Sequence, residues 1–260
     1  SDNSLMSALQ RNQELKTLVL DETPWVMDAD NEADQKRMLT TFFDESAMDY
    51  RLASQLKDLK DLQNSDGSWS WWRGMRGSAS ITAQVLQTLA RLNVMAGYQK
   101  ATAKMIENGM DYLRTVVMKE FEEMKRMEKK GQKPMICDYH AIQYLYINTL
   151  LGKNPFYDSD YVELKNYLLK YLEADRHRDI YSKALMAVVL NGDGKAKKAK
   201  EYVESIRQYT VTKPGMGTYF DTWHAGYSWF DYRIPTQTAA IEALKAVDPA
   251  DTETINQMRL

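Results

Sequence analysis

SITAQVLQTLARL, residues Ser80–Leu92, carries a single charge, Arg91, and sets Ala83 and Ala90 among Ile81, Val85, Leu86, Leu89 and Leu92. Apolar residues recurring at three- and four-residue steps predict a helix, and their spread around most of the circumference predicts an enclosed one. Three further stretches have the same character: YHAIQYLYINTLL (Tyr139–Leu151), YSKALMAVVL (Tyr181–Leu190) and PTQTAAIEALKAV (Pro235–Val247). Between them, around Asp160–Leu172 and Lys195–Tyr209, lie segments with one apolar stripe and charged remaining faces. Enclosed and peripheral helices alternating at intervals of about 40 to 60 residues are the pattern of a ring or stack of helical hairpins.

Outward from this repeat the chain remains helical. Leu5–Val19, Met38–Phe43 and Met48–Leu62 each show an amphipathic stripe, the first stopped by Thr23-Pro24 because the residue before proline is pushed out of helical space. A long helix is predicted from Ala101 to Lys130; its end, KEFEEMKRMEKKG, is charged on most faces and is expected to project into solvent. Twelve Gly and six Pro in 260 residues are too few for a turn-rich sandwich or barrel. No linker or low-complexity tract divides the chain, so residues 1–260 are read as one all-α domain.

Composition excludes several classes. Thirty-four basic against 36 acidic residues leave a net charge of −2, without the basic excess that phosphate binding relies on, so nucleic acid is not an expected partner. No apolar run reaches the eighteen or so residues of a membrane span. The sole cysteine, Cys137, excludes an internal disulfide but leaves the compartment open.

Two stretches break the helical pattern, each directly before an enclosed helix. In QNSDGSWSWWRGM (Gln63–Met75), three tryptophans follow a reversal at Asn64–Gly67, where glycine supplies positive φ. In GMGTYFDTWHAGYSWFDY (Gly215–Tyr232), aromatic and polar residues alternate enough to predict a short hairpin near 215–232.

Gln63, Asp66, Gly67, Ser68 and Trp69, followed by Ser80-Ile81-Thr82-Ala83, resemble the QxxDGSW turn and succeeding inner helix of α/α-toroid, terpenoid-cyclase-like proteins. Together with DETPWVMDADNEADQKRMLTTFFD (Asp21–Asp44) and YSWFDYRIPTQTAAIEAL (Tyr227–Leu244), the stretch from about Leu15 to Val247 resembles the complement-like, thioester-type domain of bacterial alpha-2-macroglobulins, particularly of Bacteroides-type bacteria. The resemblance implies an α/α toroid of alternating inner and outer helices within a longer periplasmic or envelope protein that traps proteases. It also implies contacts with neighbouring macroglobulin-like domains of the same chain and with trapped proteases, and a ring left open at its C-terminal edge.

The sequence departs from that family at its chemistry. Active members carry Cys-x-x-Gln, whereas Cys137 is followed by Asp138, Tyr139 and His140, and the next glutamine is Gln143. The thioester is therefore absent from this reading, and no catalytic residue, cofactor or metal is expected. The expected interaction surface is Trp69, Trp71, Trp72, Arg73, Trp223, His224 and Trp229, which either plug the toroid wall or present a platform to a partner.

Other chemistries fit poorly. Cys137 and His140 lack an evident orienting third group, and Cys137, His140, His177 and His224 show no convergent ligand spacing. The run Asp28, Asp30, Glu32, Asp34 lacks the glycine and terminal glutamate of a calcium loop, and DADN at Asp28–Asn31 is neither DxDD nor DDxxD. Two alternatives stay open: a carbohydrate- or peptide-processing enzyme using Asp66, Asp221 or Asp231 in the toroid mouth, and an adhesive module bearing an exposed tryptophan strip.

Overall fold

A computed structural model describes residues 45–97, 99–134, 138–152, 156–172, 179–226 and 233–259. Among them are α1 (Glu45–Asp61), α2 (Ala79–Ala96), α3 (Gln99–Lys129), α4 (Asp138–Leu151), α5 (Ser159–Leu172), α6 (Ile180–Gly192), α7 (Ala196–Arg207), α8 (Arg233–Val247) and α9 (Thr252–Gln257). The chain is all-α, with one short antiparallel hairpin, β1 (Thr210–Lys213) and β2 (Gly217–Phe220). The helical stripes at Leu5–Val19 and Met38–Phe43, the acidic run, Cys137, His177 and Trp229 lie outside the described residues. Among the described residues, no helix is long and apolar enough to cross a membrane.

The four largely uncharged segments are the inner layer. Residues 180–190 of α6 and 141–148 of α4 are buried on every face. α2 packs on α4, α4 on α6 and α6 on α8, while α3, α5 and α7 pack outside them and α1 lies on α3. The inner helices run in one direction. Ser80 meets His140, Gln87 meets Gln143 and Arg91 meets Tyr146, so α2 and α4 advance together. Tyr181 meets Gln87 near the start of α6, and near the ends Asn191 donates to the Ala246 carbonyl at 2.9 Å. All four inner helices therefore begin at the same end of the molecule.

Local signals set the helix boundaries. Ser78 caps α2 through a bond from the Ile81 N–H, and the helix stops at Gly97. Asp158 Oδ1 accepts from the Tyr161 N–H at 2.9 Å, Asp179 caps α6 and Asp251 caps α9, each satisfying an amide without an acceptor inside its helix. The backbone amide of Tyr161 pulls the Asp158 carboxyl below its ordinary value, and bonds from Thr254 do the same for Asp251. A depressed carboxyl contributes stability in full above its unfolded pKa, about 3.9, and loses it as pH falls through the lower folded value. Thermal melts should thus be flat between about pH 7 and 5 and fall below about pH 4, less steeply in Asp158→Asn.

The short hairpin expected near 215–232 is present: the β-branched run Thr210-Val211-Thr212, just upstream, supplies its first strand, and pairing runs from Thr210↔Phe220 to Lys213↔Gly217. Past Phe220, Thr222 Oγ1 accepts from the His224 N–H, and Trp223–Ala225 coil into a 3₁₀ turn that ends the alternation. The charged end of α3 exposes Lys119, Glu122, Glu123, Arg126 and residues 128–131, as expected, while one face packs inward: Phe121 and Met124 are buried, with the Phe121 ring 5.0 Å from that of Tyr167.

Candidate functional site

The turn before α2 is held by its own polar side chains. Asp66 Oδ1 accepts from the Ser68 hydroxyl at 2.6 Å and from the Ser68 N–H at 3.0 Å. Gln63 Nε2 donates to the carbonyls of Gly67 at 2.9 Å and Met105 at 3.0 Å, fastening the turn to α3. Gly67 has φ +84°, and a Cβ there would lie 2.0 Å from the Asn108 carbonyl oxygen. Gly109 leaves room for the Trp69 ring, since its Cβ would stand 2.8 Å from Cζ3.

Trp69 is thus removed from the expected surface. It is 2% exposed, its indole N–H donates to the Leu59 carbonyl at 2.9 Å, and its backbone N–H donates to Thr82 Oγ1 at 2.9 Å. This ring is buried because the loop that carries it is fastened onto α3. Trp71 and Trp72 are the opposite case, 59% and 70% exposed with ring centroids 6.5 Å apart, and Arg73 and Met75 are exposed beside them. A backbone bridge between Trp69 and Ser78 closes this loop at its base.

The second loop is tied to α8. Thr236 Oγ1 donates to the Ala225 carbonyl at 2.8 Å, and Gln237 Nε2 donates to the Thr218 and Met258 carbonyls at 2.8 and 3.0 Å. Trp223 is 81% exposed and stacks on His224 at 3.7 Å, whose other neighbour is the Tyr209 ring at 5.0 Å. As both loops precede parallel inner helices, Trp71, Trp72, Arg73, Trp223 and His224 belong to one end of the molecule.

A polar hub went unread in the sequence. Arg91 of α2 pairs with Glu242 of α8 at 2.9 Å, their side chains only 15% and 21% exposed. Tyr146 of α4 stands between, accepting from Arg91 Nε at 3.1 Å and donating to Glu242 Oε2 at 2.6 Å. The Gln87 amide turns its oxygen toward the guanidinium at 2.9 and 3.1 Å and toward the Tyr181 hydroxyl of α6 at 2.5 Å, since a guanidinium has only donors to offer. Burial disfavours the charged guanidinium, but the Tyr146, Glu242 and Tyr181 oxygens outweigh it and leave the Arg91 pKa raised. Burial also raises the Tyr146 pKa, so its hydroxyl keeps its proton and donates. The available signal was the charge itself: an ion on an enclosed helix needs an opposite partner, and Arg91 and Glu242 stand on two such helices.

The Ser68 hydroxyl holds the Asp66 pKa below its ordinary value, the wrong direction for a proton donor. Asp221 is 61% exposed and faces Lys213 at 3.9 Å, and Asp231 lies outside the described residues. Among the described residues, no group of three or more His, Cys, Asp and Glu side chains could hold a metal ion. Comparison with protein-family models gives no match, and comparison with curated proteins gives none.

Proposed function

We propose that this chain is a non-covalent docking toroid in a bacterial alpha-2-macroglobulin-like protein, one that traps proteases in the periplasm or cell envelope without thioester chemistry. The observation that supports it is the aromatic end: Trp71, Trp72 and Trp223 stand in water on loops rooted in a rigid inner layer. Exposed tryptophan is costly to hydrate and is enriched where partners bind. The Gln63–Trp69 turn and the alternating layers accord with the toroid resemblance, and a filled hub accords with a scaffold. Neighbouring macroglobulin-like domains are the partners this reading assigns to the aromatic end.

Cleavage of the full-length protein by a broad-specificity protease should reduce its hydrodynamic radius and shield the protease from macromolecular substrate. Trp71→Ser and Trp72→Ser should each cost docking about 2 kcal/mol, roughly 30-fold in the closing equilibrium. Cleavage with neither compaction nor shielding overturns the trap. Compaction indifferent to both substitutions moves the docking surface elsewhere.

A further inference from the structure

Three side chains outside the rim and the hub meet where α2, α3 and α4 come together. Ser80 Oγ lies 3.0 Å from His140 Nε2, and Nδ1 of the same ring faces Glu120 Oε1 at 3.8 Å. The Ser80 side chain is exposed, His140 is 15% exposed and Glu120 36%. The order hydroxyl, imidazole, carboxylate is the arrangement that activates a serine nucleophile, and such contacts are often looser without substrate.

The surroundings suit acyl transfer. Ala79 and Ser80 are the first two residues of α2, so their N–H groups have no acceptor within the helix, and the helix start favours a developing negative charge. The Trp69–Ser78 bridge roots the loop bearing the exposed Trp71, Trp72 and Met75 two residues before Ser80 in the chain, and these are the apolar side chains an acyl group would meet from that loop.

We propose that Ser80, His140 and Glu120 form a hydrolytic relay for carboxylic esters with an apolar acyl chain. Ser80 Oγ attacks the ester carbonyl carbon while its proton passes to His140 Nε2, and the tetrahedral oxyanion lies at the start of α2. The carbon–oxygen bond to the alcohol breaks, His140 returns the proton to the departing oxygen, and Ser80 is left acylated. Water then gives one proton to His140 and its oxygen to the acyl carbon; the Ser80 ester bond breaks and His140 reprotonates Oγ, releasing the carboxylic acid. Glu120 is a positioning residue whose carboxylate, 3.8 Å from Nδ1, closes on the Nδ1 proton when the ring is charged and balances the transient imidazolium. The relay is independent of protease trapping.

The test uses the intact chain with p-nitrophenyl butyrate and, separately, a fluorophosphonate probe mapped by peptide mass spectrometry. The wild-type chain should turn over the ester and take the probe on Ser80. Ser80→Ala and His140→Gln should lower kcat by at least about 100-fold and abolish labelling. Ser80→Ala should melt as the wild type does, since alanine is favoured in helices. Glu120→Gln should lower kcat with KM unchanged, and Glu120→Asp should restore part of it, which a merely structural carboxylate would not do. Absence of turnover, probe on another residue, or turnover surviving Ser80→Ala would each overturn the relay.

Discussion

Gly67→Ala should lose at least about 4 kcal/mol of unfolding free energy in chemical denaturation. Left-handed backbone costs a residue with a side chain about 1 to 2 kcal/mol, and Gly67 sits at φ +84°. The larger part is steric. The added methyl would stand 2.0 Å from the Asn108 carbonyl oxygen and 2.6 Å from its carbon, both backbone of α3 and neither able to swing aside. Separating the turn from α3 would also stretch the Gln63 bonds to the Gly67 and Met105 carbonyls. Gly74→Ala isolates the dihedral part, because Gly74 has φ +81° with nothing within 4 Å. It should lose only about 1 to 2 kcal/mol. Equal losses at the two positions would show that close approach of the turn to α3 contributes nothing.

Arg91→Met should be the most damaging substitution in the hub, at about 3 to 5 kcal/mol by the same measurement. The Met side chain keeps much of the volume but leaves the Glu242 carboxylate, 21% exposed, beside Tyr146 without its countercharge. Arg91→Met with Glu242→Leu should be less destabilised than Arg91→Met alone, because neither buried charge then remains. A double variant as unstable as the sum of the singles would mean that the two charges are uncoupled.

The layer assignment was readable because burial on all faces and burial on one leave different hydrophobic patterns, as Tyr181–Leu190 and Lys195–Tyr209 illustrate. The Gly67 reversal was readable because glycine takes positive φ cheaply. Trp69 could not be told from Trp71 by composition: the two differ in what lies opposite, and the residue that admits Trp69, Gly109, is forty positions away. The strand at Thr210–Lys213 was obscured because four residues are too few to establish alternation. The hub and the Ser80–His140 contact depend on register between parallel helices whose meeting residues stand 55 to 151 positions apart, which a single sequence does not carry.

Inner helices that each lean chiefly on the next form a nearly one-dimensional stack, and local opening in such a stack starts at its ends. α4 and α6, enclosed by neighbours on both sides, can release their amide hydrogens only when most of the array comes apart. The link from Arg91 to Glu242 spans 151 positions of chain, so it forms only once α8 has docked beside α2. Until α8 docks, the Arg91 guanidinium faces an unfinished interior without its countercharge, so a chain whose α8 is displaced is the form most exposed to mispairing.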